Sequence, residues 1–326
     1  MTRLGVVGAG AWGTALAIVA ARAGNTVRLW GRDPDRIATM AAARENRHYL
    51  PGVRLPVEIA PTARLDELAD AEALLLVVPA QQLRAVCRRL PPGGAPLVIC
   101  AKGLEQATGL RLSQVVAEER PGARIACLSG PSFAAEVGRG LPTAVTIAAE
   151  DKALAGHLAE RLASLTFRPY PSDDLLGVEL AGALKNVIAI AAGVTMGKGL
   201  GENARAALVT RGLAEMGRLA HALGARRETL MGLSGLGDLL LTATSLTSRN
   251  TSFGFALAQG RLPAELLAAG EKLSEGAYTA EAACRLAARV GVELPIAAAV
   301  RAVVAGELDV DAAIEALLSR PLAPME

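Results

Sequence analysis

Three glycines near the amino terminus have the spacing that a phosphate-binding turn needs. Gly8, Gly10 and Gly13 follow the short apolar run Leu4–Val7 and lead into a helical pattern at 14–23. In such a turn the first glycine allows a tight bend, the second lets the backbone approach a diphosphate, and the third lets helix and strand pack closely. Free N–H groups at the helix start favour an anion. The order strand, glycine turn and helix therefore predicts a dinucleotide site.

The end of the second predicted strand bears on which dinucleotide would bind. The strand Thr26–Trp30 is followed by Gly31, Arg32 and Asp33. An NAD-selective site usually has a carboxylate at this strand end for the ribose 2′-hydroxyl, whereas an arginine suits a 2′-phosphate. Gly31 takes the carboxylate's place and Arg32 follows it. Asp33 has two interpretations, a hydroxyl ligand or the cap of a helix that begins near Pro34. The pattern favours NADP over NAD.

A lysine–asparagine pair interrupts a long apolar run in the second half of the chain. As a helix, residues 180–194 place Lys185 and Asn186 off the apolar stripe. Their neighbours three and four residues away include the small residues Ala181, Gly182 and Ala189 beside the larger Ile190. Small neighbours leave room for a ligand against the helix. An ordinary surface pair would have the same pattern, so these two residues alone do not decide.

Other polar residues stand where loops or helix starts are predicted. Ser248, Arg249 and Asn250 combine a hydroxyl, a guanidinium and an amide at a helix start, which suits a phosphate monoester or else a plain capping loop. Asp238 follows a glycine-rich stretch, where a helix N-cap is the simpler interpretation. Lys102 comes directly after a predicted strand, at an edge where ligands bind in parallel sheets.

The pattern of apolar runs predicts a two-domain α/β protein. Strands are predicted at 4–7, 26–30, 73–78, 96–100, 125–128 and 143–147, with helices between several of them. This alternation is typical of a Rossmann-type, doubly wound sheet. Helical patterns then take over at 175–196, 203–223, 255–269, 279–290 and 295–305. We therefore predict a dinucleotide-binding domain at 1–176 and an all-α substrate and catalytic domain at 177–326.

Composition excludes several other classes of function. The 326 residues are 52% hydrophobic with a net charge of +2, which argues against nucleic-acid binding. Four dispersed cysteines and three histidines predict neither a disulfide framework nor a metal site. No signal peptide and no uninterrupted apolar run of about 18 residues is apparent. We expect a cytoplasmic protein without a membrane segment, and a homodimer is an option that the sequence leaves open.

Segments along nearly the whole chain resemble the bacterial form of the NAD(P)-dependent glycerol-3-phosphate dehydrogenase family. A generic Rossmann protein would share only the first of them. The segments are GAGAWGTALA at 8–17, NRHYLPG at 46–52, AKGLE at 101–105, SGPSFAAEV at 129–137, LKNVIAIAAGV at 184–194, GENARAALVTRGLAEM at 201–216, SGLGDLLLT at 234–242, SRN at 248–250 and SEGAYTA at 274–280.

The resemblance implies a role for individual residues. Lys185 would be the general acid/base on the substrate C2 oxygen, with Asn186 beside it. Lys102 and Asp238 would position and polarise the substrate. The remaining implied substrate contacts are Gly130, Ser132, Ser248, Arg249 and Asn250. Implied cofactor contacts besides the three glycines are Ala11, Trp12, Arg32, Tyr49, Lys102, Ala134, Arg249, Leu273 and Glu275. Many relatives have serine in place of Ala11 and valine in place of Leu273.

The implied activity is reversible hydride transfer between dihydroxyacetone phosphate and sn-glycerol 3-phosphate with NADP, or else NAD, as cofactor. Supply of glycerol 3-phosphate for phospholipid synthesis would follow. Burial and nearby cations would have to lower the pKa of Lys185 from about 10.4 for acid/base work near neutral pH. Two alternatives remain at this point. One is a related two-domain 3-hydroxy-acid dehydrogenase, and the other is a nucleotide-binding redox sensor without turnover.

Overall fold

The computed structural model describes residues 2–268 and 274–321. Its contacts divide the chain into two compact units. The sheet unit comprises the residues up to Ala101 together with Leu112–Leu175, and the helical unit comprises Lys102–Arg111 with the chain from Leu176 onward. Residues 102–111 thus belong to the helical unit, although the residues before and after them in the sequence belong to the sheet unit. A single boundary near Leu176 does not include this segment in the helical unit.

A mostly parallel sheet forms the centre of the sheet unit. Its strands are β1 (Arg3–Val7), β2 (Thr26–Trp30), β3 (Ile59–Thr62), β4 (Ala73–Leu76), β5 (Leu97–Ile99), β6 (Ile125–Ser129), β7 (Thr143–Ala149) and β8 (Phe167–Ser172). The spatial order is β3-β2-β1-β4-β5-β6-β7-β8. Neighbouring strands are parallel except β6 and β7, which are antiparallel. The first six strands have the doubly wound, dinucleotide-binding order, which confirms the predicted fold class.

Helices and apolar side chains cover both faces of this sheet. The helices are α1 (Ala11–Arg22), α2 (Pro34–Ala43), α3 (Leu83–Arg89), α4 (Leu112–Glu119), α5 (Ala134–Arg139) and α6 (Lys152–Leu162). Side chains alternate between the faces, so that Val6 and Leu75 join one buried cluster while Val7 and Leu76 join the other. Strands buried on both sides read as continuous apolar runs, which is why the central ones were predicted from the sequence.

The two edge strands were not predicted, and their composition explains the omission. β3 contains Pro61, and β8 contains Pro169 and Pro171. Proline cannot donate a backbone hydrogen bond, so it is tolerated at the edge of a sheet and discourages pairing with another chain. The helix α6 was also missed. Its buried residues Leu154, Leu158 and Leu162 nevertheless have helical spacing.

The helical unit is organised around one long buried helix. Its helices are α7 (Leu175–Gly197), α8 (Gly201–Ala222), α9 (Arg227–Met231), α10 (Asp238–Ala243), α11 (Arg249–Ala258), α12 (Pro263–Ala268), α13 (Glu275–Arg289), α14 (Pro295–Val304) and α15 (Val310–Leu318). Within the described residues, α7 alone is long and apolar enough to cross a membrane. However, 94% of its most apolar window is buried inside the fold, as in the core helix of a globular unit.

Helices in this unit differ from the predicted ones in several places, and the short helix α9 was not predicted. The single helix predicted at 255–269 is two helices, because α11 begins after the cap Ser248 and ends before Gly260, which has a positive φ of 84°. α13 begins four residues before the predicted start at 279. α15 was not predicted. It begins after Asp309, whose carboxylate accepts a hydrogen bond from the N–H of Ala312.

Candidate active site

The glycine turn of the sheet unit has the geometry that its spacing predicts. Gly8 has a φ of +125°, a region that side chains other than glycine rarely adopt. A Cβ on Gly13 would lie 1.8 Å from the carbonyl oxygen of Gly8, so any larger residue would separate helix from strand. A Cβ on Gly10 would meet nothing within 4 Å, which leaves open space above the turn. The turn is therefore tight beneath and open on the ligand side.

The amino terminus of α1 is suited to an anion. Gly10 is its cap residue, no side chain bonds the first turn, and that turn contains no acidic residue. Its N–H groups therefore have no competing carboxylate, which is the condition for binding a diphosphate. Ala11 and Trp12 are the first two residues of the helix, and both are partly exposed. The indole N–H of Trp12 has no hydrogen-bond partner within the described residues.

Asn46 supports this turn, although the sequence analysis assigned it no role. Its amide donates hydrogen bonds to the carbonyl oxygen of Ala9 at 3.0 Å and to Oγ1 of Thr14 at 2.7 Å. The side-chain oxygen of Asn46 accepts from the N–H of Tyr49 at 3.3 Å. Asn46, the first residue of the segment NRHYLPG, therefore stabilises the glycine turn. An asparagine in this segment was the sequence signal that could have indicated this role. Tyr49 itself is 46% exposed.

The end of β2 has no room for an acidic side chain. A Cβ on Gly31 would lie 2.7 Å from Cδ1 of Ile37 and 2.9 Å from Cβ of Ala9. Asp33 caps α2 by accepting from the N–H of Arg36 at 3.2 Å, and it forms an ion pair with the Arg36 guanidinium at 3.0 Å. The second interpretation of Asp33, a helix cap, is therefore confirmed. Arg32 is exposed and forms no hydrogen bond or ion pair with the described residues.

Three more predicted residues lie after β6, also in the sheet unit. Gly130 has a φ of +147°, and a Cβ there would lie 2.9 Å from Cα of Val145. Ser132 donates its hydroxyl hydrogen to the carbonyl oxygen of Gly130 at 2.9 Å. Ala134 is the first residue of the short helix α5. These residues follow a strand at the sheet's carboxyl end, as predicted, while their contacts with ligands stay predictions.

Lys185 lies in the interior of the helical unit. It is 6% exposed, and its Nζ donates to Oδ1 of Asp238 at 2.9 Å and to Oγ1 of Thr242 at 2.7 Å. Thr242 was not singled out from the sequence. It follows Asp238 by four residues on α10, so both side chains lie on the same face of that helix. The surface-pair interpretation of Lys185 is therefore wrong, since the lysine is buried and engaged.

Asp238 holds a second ammonium group. Its Oδ2 accepts a hydrogen bond from Nζ of Lys102 at 2.5 Å, and the aspartate is 2% exposed. A single π-helical turn at 233–237 leads directly into Asp238, which makes it the first residue of α10. The predicted N-cap role is wrong, because the cap position belongs to Gly237. Two lysines separated by 83 positions in the sequence thus share one buried carboxylate.

The surroundings of Lys185 bring the pKa of its ammonium group close to neutral pH. Burial is the largest effect; together with the charges of Lys102 and Arg249, and against that of Asp238, it lowers the pKa of the Lys185 ammonium to about 8. Burial by itself would raise the pKa of Asp238, but the two lysines outweigh it and keep that pKa below its usual value. A buried lysine with such a pKa can donate or accept a proton under physiological conditions.

Asn186 belongs to a directional chain of hydrogen bonds. The backbone N–H of Gly276 donates to Oδ1 of Asn250 at 3.0 Å, and the hydroxyl of Ser274 donates to the same oxygen at 2.8 Å. With its oxygen thus oriented, Asn250 donates from Nδ2 to Oδ1 of Asn186 at 2.8 Å. Asn186 in turn donates to the carbonyl oxygen of Lys102 at 3.5 Å. A backbone N–H at one end therefore determines the orientation of both amides.

The predicted phosphate-binding residues begin α11. Ser248 caps this helix by accepting from the N–H of Thr251 at 3.3 Å, and it is 5% exposed. Asn250 is buried in the chain described above. Arg249 lies between them, exposed and without a hydrogen bond or ion pair to the described residues. Its charge nevertheless lowers the pKa of Lys185, so the guanidinium lies within electrostatic range of the buried cluster.

Several predicted site residues meet in the helical unit, and others lie elsewhere. Those joined by hydrogen bonds are Lys102, Lys185, Asn186, Asp238 and Asn250, with Thr242 and Ser274 as additions that the sequence analysis missed. Glu275 is the first residue of α13 and is 9% exposed. Leu273 lies outside the described residues. The glycine turn, Arg32, Tyr49, Gly130, Ser132 and Ala134 belong to the sheet unit.

Comparison with known proteins covers nearly the whole chain. Residues 3–155 match the NAD-dependent glycerol-3-phosphate dehydrogenase N-terminus family, and residues 174–315 match the corresponding C-terminus family. A glycerol-3-phosphate dehydrogenase [NAD(P)+] of Azorhizobium caulinodans is 58% identical over 98% of this chain and 97% of its own. The protein of that name from Caulobacter vibrioides is 54% identical over 99% and 98%. The crystal structure of glycerol-3-phosphate dehydrogenase from Coxiella burnetii covers 98% of this chain and 99% of its own, with 40% identity and a TM-score of 0.93.

Proposed function

This chain belongs to the NAD-dependent glycerol-3-phosphate dehydrogenase family, and we propose that it interconverts dihydroxyacetone phosphate and sn-glycerol 3-phosphate. It is an oxidoreductase that acts on a CH–OH group with NAD(P). The observation that carries the proposal is the buried Lys185–Asp238–Lys102 cluster with the exposed Arg249 nearby. Two ammonium groups on one buried carboxylate leave a positive charge uncompensated, which is unfavourable for stability and is typical of a functional site.

Lys185 is proposed as the general acid in the direction of reduction. An ammonium group has three donors, and Asp238 and Thr242 take two of them. The third is available for the C2 oxygen of the substrate, which receives the proton as the carbonyl becomes an alcohol. In the reverse direction the neutral amine takes that proton back. Lys102 adds a positive charge that stabilises the developing negative charge on the same oxygen.

The phosphate of the substrate is proposed to bind at the start of α11. Arg249 supplies a guanidinium that no described residue neutralises, and Asn250 has one amide hydrogen beyond its bond to Asn186. Ser248 completes the predicted set as the helix cap. Gly130 and Ser132 are carried over as substrate contacts on the strength of the family resemblance alone.

The dinucleotide is proposed to bind at the glycine turn. Gly8, Gly10, Ala11, Trp12 and Gly13 would hold the diphosphate at the amino terminus of α1. Further contacts are proposed for Tyr49, Lys102, Ala134, Arg249, Leu273 and Glu275. When bound, NAD(P)H supplies the hydride. The open space above Gly10 and the uncapped helix start fit such a group. Arg32 has no hydrogen-bond or ion-pair partner among the described residues, and the strand end beside it excludes a carboxylate, which supports a preference for NADP.

Three further assignments accompany this activity as proposals. Residues 1–176, apart from 102–111, would serve nucleotide binding, and the rest would serve substrate binding and catalysis. The protein would act in the cytoplasm, in the supply of glycerol 3-phosphate for phospholipids. A homodimer is the oligomeric option to test, and light scattering on a sizing column tests it directly.

The decisive experiment measures oxidation of NADPH and of NADH by the purified protein with dihydroxyacetone phosphate. Dihydroxyacetone is the matched control, since it differs only in lacking the phosphate. We expect turnover that depends on the phosphate and is faster with NADPH. Turnover of a 3-hydroxy acid without any activity on the phosphorylated substrate would overturn the proposal, and nucleotide binding without turnover of either would return the sensor alternative.

A further inference from the structure

The segment that carries Lys102 is a closed loop. Leu104 pairs with Arg111 in an antiparallel bridge, and the N–H of Glu105 donates to the carbonyl oxygen of Leu110 at 2.9 Å. A third bond closes the tip, from the N–H of Gly109 to the carbonyl oxygen of Glu105 at 2.8 Å. We call residues 102–111 the lysine loop. The bridge closes the loop at Leu104 and Arg111, and Lys102 lies two residues before it.

Two residues on one face of α7 fasten this end of the loop. Glu179 and Asn186 are seven residues apart, which is two helical turns, so their side chains project from the same side of the helix. The Glu179 carboxylate forms an ion pair with Arg111 at 2.7 Å, and the Asn186 amide donates to the carbonyl oxygen of Lys102. Leu104 is 1% exposed and packs in the core of the helical unit.

The Arg111–Glu179 pair differs from the ion pairs on the surface of the protein. The Glu179 side chain is 5% exposed and that of Arg111 is 23% exposed, whereas the Arg301–Glu307 pair at the end of α14 has values of 30% and 52%. Solvent screens the surface pair, which therefore constrains little. A buried carboxylate needs its partner, because an unpaired charge is very unfavourable there. The buried pair therefore resists displacement of the loop.

We propose that Arg111 and Glu179 are positioning residues that hold the lysine loop on α7 and so place the Lys102 ammonium on Asp238. This inference rests on the proposed function, in which Lys102 acts on the substrate. Lys102 has a long and flexible side chain, and its Nζ reaches Asp238 only while its backbone stays beside Asn186. The ion pair acts at Arg111, where the bridge with Leu104 closes the loop.

Displacement of Lys102 has a specific electrostatic consequence. The charged groups around the Lys185 ammonium are Asp238 from α10, Lys102 from the lysine loop and Arg249 from α11, and the uncharged hydroxyl of Thr242 completes the set. Burial is the main reason for the lowered pKa of Lys185, and the charge of Lys102 lowers it further. If Lys102 moves away, the pKa of Lys185 rises. Loosened packing that admitted water would also raise this pKa, so the pH shift must be compared with that of Lys102→Met and of the triple variant, and with the labelling of Lys102.

The test replaces both charges at once, since the double variant Arg111→Met with Glu179→Met leaves neither buried alone. Reduction of dihydroxyacetone phosphate is followed as a function of pH in wild type, in this double variant, in Lys102→Met and in the triple variant that combines all three substitutions. We expect kcat/KM to fall about tenfold from misplacement, with the alkaline limb moved to higher pH as in Lys102→Met. The triple variant should have the same kcat/KM as Lys102→Met. Arg301→Met with Glu307→Met is the matched control, and Arg111→Lys should retain the wild-type pH profile.

A second readout does not depend on activity. Amine labelling followed by mass spectrometry of the peptide containing Lys102 should be several-fold faster in the Arg111→Met/Glu179→Met variant than in wild type or in the Arg301→Met/Glu307→Met control. An unchanged pH profile and unchanged labelling in a folded double variant would overturn the inference. So would a kcat/KM of the triple variant that falls by the product of the losses in the double variant and in Lys102→Met. An inactive wild type would instead overturn the proposed function, while the labelling result would still decide the role of Arg111 and Glu179.

Discussion

Lys185 and Asp238 form a buried ion pair at 2.9 Å in which the aspartate also serves a second lysine. The aspartate therefore cannot neutralise both of its partners. The cluster keeps a net positive charge in the interior, and this is favourable only when an anionic or electron-rich ligand arrives. The same arrangement orients the Lys185 ammonium and keeps its pKa from falling further, so Asp238 maintains the protonated form that reduction requires.

Loss of the Lys185 amine should remove the acid/base step and leave nucleotide binding intact. We expect Lys185→Met to lower kcat by at least about 10², with the Kd for NADPH near its wild-type value. Lys152→Met, an exposed lysine at the start of α6, is the control and should retain full activity. Wild-type turnover by Lys185→Met would remove this residue from the proposed role.

The pH dependence of reduction should report the ionisation of Lys185. Its pKa of about 8 means that the acid is protonated below that pH and lost above it. The rate of dihydroxyacetone phosphate reduction should therefore fall on the alkaline side, with a midpoint near pH 8. Because Asp238 raises this pKa, the residual activity of Asp238→Asn should fall at a lower pH than that of the wild type. A midpoint that stays unchanged in Asp238→Asn would contradict the assignment.

Arg249 should act mainly on binding of the phosphorylated substrate. Its exposed guanidinium has no partner among the described residues, so its removal leaves no buried group unsatisfied. We expect Arg249→Ala to raise the KM for dihydroxyacetone phosphate by 10-fold or more, roughly the effect of one charge-assisted contact. Stability should not change. Arg289→Ala, at the exposed end of α13, provides the comparison; equal KM values in the two variants would argue against a phosphate contact.

Arg32 should distinguish the two nicotinamide cofactors. We expect Arg32→Ala to raise the KM for NADPH by about tenfold and to leave that for NADH nearly unchanged, since only NADPH has the 2′-phosphate. Arg28→Ala is a close control, because Arg28 is also exposed and lies on the preceding strand β2. The comparison needs initial rates with both cofactors. Equal effects on NADPH and NADH would show that Arg32 does not read the 2′-position.

Glu215 should make stability depend on pH. Its carboxylate on α8 accepts from the N–H groups of Ile296 and Ala297, and burial raises its pKa from 4.5 to about 7. The folded state therefore binds the proton more tightly, so this contribution to stability is complete below about pH 4.5 and disappears as the pH rises through 7. Glu215→Gln does not ionise. Its free energy of unfolding relative to wild type should rise by roughly 2–3 kcal/mol between pH 5 and 8.

Denaturant unfolding at the two pH values measures that difference. The exposed Glu228→Gln on α9 is the control and should keep a constant offset from wild type. A constant offset for Glu215→Gln as well would mean that the Glu215 carboxyl has an ordinary pKa in the folded protein.

Local patterns in the sequence were sufficient for the central strands, for the glycine turn and for α7. Each of these depends on neighbouring residues: continuous apolar runs, glycine spacing, and a helical repeat of buried side chains. The edge strands β3 and β8 lacked such a pattern, because they are partly exposed and contain proline. The division between α11 and α12 was missed although Gly260 and Pro263 mark it, because alanine and leucine dominate on both sides of it.

The sequence by itself therefore determined the fold class and the position of the dinucleotide turn. It also determined the family, through the segments that resemble its members. It could not determine that Asp238 serves two lysines or that Gly276 orients the amides of Asn250 and Asn186. It also did not show that the lysine loop belongs to the helical unit. These relationships join residues tens to more than a hundred positions apart, and they exist only because packing brings their backbones together. Burial then shifts the pKa of Lys185, an effect that depends on surrounding atoms and that no local pattern encodes.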